Sequence, residues 1–327
     1  MGLYSARGQD GWTRHFRAGL QVGLNIKADF KMSGEFGISG SNPSEPGARR
    51  QQHLYDDGYV RVDQTGNADG LTSFWGYEDA SQYDAAAHTL TFSSARSFTT
   101  SGSASRDDQP YLGLDMAYGG NLTRWAHGMV GWELGFGLLP IHIKDNQELP
   151  GSFTRTRHRF DTESIVVPAA PYNGGPSGLG PTISDMATQL PDSAVNGTVT
   201  GSKSLDLNLY SIRLGPTLHW ELHRRLATAL GAGGALGIVS GDYLFDEKIV
   251  LTDGRETVNK GKFGRTEMVY GGCVAATLIF HVNEQADIYV AAQYMSLGDF
   301  SISGEGRQAR LNLGEGLSLA AGINWPF

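Results

Sequence analysis

The chain has almost no cysteine, no long apolar run and no excess of positive charge. A single cysteine, Cys273, in 327 residues rules out an intrachain disulfide and leaves the redox compartment open. A membrane helix needs about 20 consecutive apolar residues; the richest stretch, residues 226–240, falls short of that and is full of Gly and Ala. The 26 Lys and Arg against 34 Asp and Glu give a formal charge of −8, which argues against nucleic acid, whose binding wants basic patches. Residues 1–12 lack the apolar core of a secretory signal. GxSxG, HExxH and paired Cys/His ligand motifs are also missing, so neither a metal nor an organic cofactor is expected.

The apolar residues that are present, 40% of the chain, are spread out, and in many segments they alternate. In residues 309–327 one face carries Leu311, Leu313, Leu317, Leu319, Ala321, Ile323, Trp325 and Phe327, broken only by Glu315. The other face holds Arg310, Asn312, Ser318, Asn324 and small residues. Side chains on a strand alternate sides, so this is a strand with one greasy and one wet face. It exceeds the usual strand of about 5–6 residues and suits a tilted membrane crossing, which takes about 9–11. Residues 16–32 repeat the pattern, with Phe16, Ala18, Leu20, Val22, Leu24, Ile26, Ala28, Phe30 and Met32 on one face. Arg17, Gln21, Asn25, Lys27, Asp29 and Lys31 fall on the other.

Six more alternating segments are legible, at residues 111–120, 125–138, 205–220, 226–239, 267–282 and 288–296. Tight turns are expected at 121–124, 222–225 and 283–286, in strict alternation with longer connections. The longest of these, 33–110 and 144–203, read as polar loops, the first holding hairpins of its own. Beyond Leu138, and before Tyr210, the apolar parity flips, as a bulge or a strand leaving the membrane would produce. Pro216 sits inside a strand and must forfeit a ladder bond, which suggests a local bulge.

The alternating strands and the terminal Phe327 resemble the small bacterial outer-membrane β-barrels of the OmpA-like and OmpW-like group. That resemblance implies an all-β, up-and-down antiparallel barrel in outer-membrane lipid, with a C-terminal strand read by the barrel-assembly machinery. Residues 1–327 are expected to form one such domain of eight strands, with 10 to 12 as the alternative if the first loop contributes. A soluble β-sandwich or propeller is the competing fold. Outer-membrane proteins carry a signal peptide, so this chain reads as a mature or recombinant form with an added Met. Short periplasmic turns against long extracellular loops put both termini in the periplasm. Phe16, Trp125, Trp220, Phe280, Trp325 and Phe327 then fall at the periplasmic ends as an interfacial aromatic girdle.

Some barrels of this kind are lipid hydrolases or proteases. Their His-x-Ser and Asp-x-His patterns are absent around all nine histidines, so no catalytic residue is assigned. Oxygens spaced at Asp63, Thr65, Asn67 and Asp69 lack the central Gly and distal Glu of a calcium loop and read as a plain turn. Arg17, Lys27, Asp29, Asp115, Glu133, Arg213, His219 and Glu221 all point into the barrel under this register. Eight strands leave room only for side chains, so these ions are expected to pair as a plug, with Arg213 forking to Asp115 and Glu133. A narrow ion path lined by the same residues is the alternative. Phe74, Trp75, Tyr77 and Tyr172 in the loops are candidate contacts for an extracellular ligand or partner. The chain therefore reads as a non-enzymatic surface barrel that binds through its loops. A small pore for small or hydrophobic solutes is the second reading, and a lipid-modifying hydrolase a more distant third.

Overall fold

The computed structural model describes residues 14–35, 52–61, 69–100, 104–107, 110–125, 128–174, 180–283 and 285–327. From the end that holds Arg14 and Phe327, β1 (Arg14–Leu24) rises and, past a left-handed residue at Asn25 (φ 58°), continues as β2 (Lys27–Glu35). Short strands β3 (Gln52–Tyr55), β4 (Gly58–Arg61), β5 (Leu71–Thr72), β6 (Trp75–Tyr77) and β7 (Tyr83–Asp84) build a cap at the far end. The chain descends as β8 (Thr89–Thr100), β9 (Ala104–Asp107) and β10 (Tyr111–Trp125). It climbs again as β11 (Gly128–Asp145) and β12 (Leu149–Asp161), then adds β13 (Tyr172–Asn173) and β14 (Ile183–Ser184) to the cap. Three long strands follow, β15 (Thr188–His223), β16 (Leu226–Leu251) and β17 (Glu256–His281). β18 (Asp287–Leu297) continues as β19 (Phe300–Gly304), and β20 (Arg307–Asn312) descends into β21 (Gly316–Pro326).

The lower halves close on themselves. β1 pairs with β10 and β21, and the ladder runs on through β10–β11, β11–β15, β15–β16, β16–β17 and β17–β18 to β18–β21. This is an antiparallel barrel of eight strands, and no open edge remains in it, as a wall in lipid requires. Several interrupted strands keep their register: Leu149↔Val199 continues Asp145↔Lys203, and Phe300↔Leu311 continues Asp287↔Asn324. The barrel therefore extends upward rather than ending in loops. β16 and β17 each run 26 residues, more than twice the roughly 9–11 a crossing needs.

What changes along the strands is the side on which apolar residues lie. In the lower half they face out: Leu20, Leu114, Leu134, Ile212, Leu214, Leu230, Val274, Leu278, Val290 and Leu319 are exposed. The last outward apolar row, Leu138, Tyr210, Ile238 and Met268, is one continuous line of ladder partners across four strands. Immediately above it Leu139, Leu209 and Val239 are buried, joined by Ile141, Ile143, Leu205, Leu207, Tyr243 and Phe245 in one core. Outward positions there turn mostly polar, and several pair across strands, as in Lys262–Asp242 (2.9 Å), Lys260–Asp246 (2.8 Å) and His142–Asp206. A lipid-facing wall thus becomes a water-facing one without a break in β11, β15 or β16.

Several expectations are corrected by this arrangement. Residues 144–203 are largely β12 and the upper part of β15, and 33–110 supplies the end of β2, β8, β9 and most of the cap, so neither is simply a loop. The expected turn at 121–124 belongs to β10, which carries a bulge between Asn121 and Thr123 and runs on to Trp125. The parity flips are not bulges, because Leu138 and Leu139 follow one register against β15. Pro216 causes no bulge either. Leu214↔Gly234 and Thr217↔Gly231 keep one register, and only the two rungs between them are missing. A single absent N–H accounts for both, since each rung needs it.

Candidate functional site

The lower lumen gathers most of the ions expected from the sequence, among small residues such as Ala227, Ala291 and Ala320 and the larger Ile279 and Tyr289. Arg17 Nη2 donates to Glu133 Oε1 at 2.6 Å and Nη1 to Thr277 Oγ1 at 3.0 Å. The Arg17 guanidinium also lies 5.1 Å from the Tyr289 ring centre. His15 Nε2 approaches Glu133 Oε2 at 3.4 Å, and the rings of His15 and His219 meet edge-on at 5.9 Å. His219 is inward, with Nε2 3.1 Å from Thr217 Oγ1. Arg213 is buried and donates to Asp115 and to Gln293. Gly135 makes its place: a Cβ there would lie 2.7 Å from Arg213 Nε.

Arg213 does not fork to both carboxylates. Asp115 is the ladder partner of Gly137, whereas Glu133 faces Gly119, four positions lower on β11. The two acids therefore sit at different heights, and each has an arginine of its own. Glu221 stands on the rim, mostly exposed, with its Oε2 3.4 Å from His281 Nε2, whose Nδ1 lies 3.0 Å from Asp287. Lys27 and Asp29 lie outside the lumen altogether. Above Asn25 the inner side of β2 is taken by Ala28, Phe30 and Met32, all buried, which turns Lys27 and Asp29 outward.

A cavity of about 40 Å³ lies among Arg17, Asp115, Glu133 and Arg213, with room for about three waters. A second, of about 30 Å³, sits higher between Gln21, Leu139, Leu209, Met295 and Leu313, and Gln293 borders both. The upper core closes over them. Within it are two buried ion pairs that sequence reading missed, Lys203–Asp145 (3.7 Å) and Arg307–Glu247 (2.7 Å). Arg307 also covers the Phe245 ring at 3.8 Å. Burial, reinforced by the Glu247 carboxylate, pushes the Tyr243 phenol above its ordinary range. The signal for these ions was available: Glu247 lies between inward Phe245 and Ile249, and Lys203 two before inward Leu205. Chemically, Asp115, Glu133, Asp145 and Glu247 are each paired with an arginine or lysine, whereas buried Asp287 meets His281 and Asn324.

At the turn end, Phe16 stacks on Trp325 at 5.9 Å, and Phe327 lies 6.3 Å from Tyr118. The Phe327 backbone exchanges hydrogen bonds with Arg14, both 2.9 Å. Phe280 is exposed and Trp220 half-buried. Trp125 ends β10 at this level, but its side chain is outside the described residues.

The cap aromatics are not a free surface. Trp75 is fully buried, Phe74 and Tyr77 nearly so, and Trp75 packs 4.6 Å from half-buried Tyr172. Trp75 Nε1 donates to the Pro181 carbonyl at 2.8 Å. Trp75 and Tyr77 form the cap's own core with Tyr55, Leu90, Phe92, Phe160 and Ile183, and Tyr172 packs against it, while Phe74 packs on Tyr59 at 5.6 Å and on the Arg61 guanidinium at 3.9 Å, so their work is to hold the strands of the cap together. Of the oxygens at Asp63, Thr65, Asn67 and Asp69, the first three lie outside the described residues.

No family model matches this chain, and no curated protein matches it. Among solved structures it is similar to Ail of Yersinia pestis at 9% identity, over 94% of this chain and 99% of that one, with a TM-score of 0.27. The outer membrane protease OmpT of Escherichia coli gives 11% identity over 97% of each chain, with a TM-score of 0.31. A Pseudomonas aeruginosa FadL homologue gives 10% over 97% of this chain and 90% of that one, with a TM-score of 0.18. The assignment as a membrane-spanning β-barrel rests on the closed ladder and the apolar belt of this chain.

Proposed function

We propose that this protein is a non-enzymatic component of the bacterial outer membrane. The lower barrel anchors it, and the upper barrel raises a rigid, closed cap above the extracellular surface to meet a partner. The observation that carries this reading is the apolar inversion at the Leu138–Tyr210–Ile238–Met268 row. It separates a lipid-facing segment from a taller one with a filled core. A filled core suits a stalk better than a conduit. In this reading the termini are periplasmic, and Phe327 at the end of β21 is the element offered to the barrel-assembly machinery. The test is planar-bilayer recording with the purified, refolded chain. The stalk reading expects no unitary current steps; reproducible steps would support the narrow-pore reading, for which the two cavities sharing Gln293 are the supporting observation.

A further inference from the structure

The barrel wall is fully laddered in lipid but not above it. β17 pairs with β16 as far up as Glu256↔Val250, while on its other flank the ladder with β18 begins only at Gly271↔Leu297. From residue 256 to 269 that flank has no strand hydrogen-bonded to it among the described residues, and at Tyr270 the carbonyl accepts from the Gly298 N–H at 3.1 Å. β19 stands opposite but is held off by side chains. The Phe263 ring lies 3.1–3.3 Å from where a Cβ on Gly304 would be, and Arg265 Nη1 reaches across to the Ser301 carbonyl at 2.9 Å. β19 ends at Gly304, so the top of β17 faces no strand among the described residues. Burial reports the same opening. On β16 the inward Tyr243, Phe245, Glu247 and Ile249 are buried, whereas on β17 the inward Thr257, Asn259, Gly261 and Phe263 are not.

We propose that this edge of β17 is a docking site for an extended, acidic polypeptide segment of a partner, which adds to the sheet as a further strand. An open edge presents alternating backbone donors and acceptors, a pattern that an extended chain satisfies in full. Charge narrows the choice. On the outer face Lys260 and Lys262, 68% and 59% exposed, each pair with a carboxylate of β16. An added strand with carboxylates at alternate positions would flank the same lysines from the free side. A second copy of β17 would bring Lys260 and Lys262 along with Glu256 on the same row, so it offers fewer carboxylates than an acidic segment. The inner positions Thr257 and Asn259 ask for small polar partners. This site requires only that the upper barrel stands in water, whether or not the cap meets a partner of its own.

The experiment is hydrogen–deuterium exchange on the full chain in detergent micelles. The probe is a short synthetic peptide of alternating Thr and Asp. The amides of residues 256–263 that point to the free flank should exchange quickly in the free chain and be slowed about tenfold or more at saturating peptide. The same peptide N-methylated at alternate amides should give no protection. Lys260→Gln with Lys262→Gln should weaken the apparent affinity about 3- to 10-fold at low salt, and less at high salt. Three results would overturn the proposal: edge amides already slow in the free chain, no protection by the peptide, or equal protection by its methylated form. Those results leave the conductance test untouched, so the two readings fail separately.

Discussion

Leu138 and Leu139 are neighbours in β11 and face opposite sides of the wall, with no bulge between them. Leu138 pairs with Tyr210 in the outer belt, and Leu139 pairs with Leu209 in the inner core, where it is 6% exposed. Two adjacent leucines can both be favourably placed only if the surroundings exchange polarity at that height. Lipid lies outside below, and water lies outside above. The inside runs the other way, from polar ions to packed hydrocarbon, which is what burial favours once water is the outer solvent.

The lumen depends on Arg213. Arg213→Ala leaves Asp115 buried without its cation and should cost roughly 3 kcal/mol or more. Gly135→Ala places a methyl against the same guanidinium and should cost about 1–3 kcal/mol. Urea unfolding in detergent checks both. In an Asp115→Ala background the Arg213→Ala loss should shrink sharply, and an unchanged loss would show that the two do not act as a pair.

The cap should unfold separately from the barrel. Trp75→Ala removes a fully buried ring and its bond to Pro181, a loss of about 3–5 kcal/mol. Limited proteolysis should then cut within residues 69–84, while the barrel stays intact and heat-modifiable on gels. Loss of heat-modifiability would show that cap and barrel form one cooperative unit.

The ends of the loops were the hardest part to read, and for one reason. Alternation marks a strand wherever one face is greasy, so the eight lower strands stood out, from Phe16 to Phe327. In the upper half the inner face is still apolar in β11, β15 and β16, but the greasy parity has switched. A reading that expects one parity per strand stops at the switch. Lys27 and Asp29 were misplaced because residues 16–32 keep one parity across Asn25 while the wall inverts around them. The tip of β15, residues 188–203, has few apolar residues, and only its partners β12 and β16 reveal it as a strand. Glu133 was recognisably inward, but its partner Arg17 follows from the ladder, which no single segment encodes.

Acid should loosen the turn at the top of β16 and β17. Burial works to raise the Asp253 pKa, but the hydrogen bonds from Arg255 and the charges of Arg255 and Arg155 outweigh it and hold it below 3.8. A carboxylate depressed in the folded state stabilises it above the unfolded value and loses that contribution as pH falls through the folded one. Protection at residues 252–255, corrected for the intrinsic slowing of exchange in acid, should therefore fall below about pH 4. Asp253→Asn should show fast exchange already at neutral pH, with a flatter profile. An identical pH profile in the variant would remove Asp253 from the account.

The inversion itself can be read by a nitroxide scan of the outward positions of β16, from Leu230 through Ile238 to Asp246, in a chain with Cys273 replaced by serine. In lipid vesicles the labels from 230 to 238 should be open to oxygen and closed to a water-soluble nickel reagent. From Ser240 upward the preference should reverse within one or two positions. A wall that is water-accessible along its whole length, or one that stays lipid-accessible up to Asp246, would contradict the account.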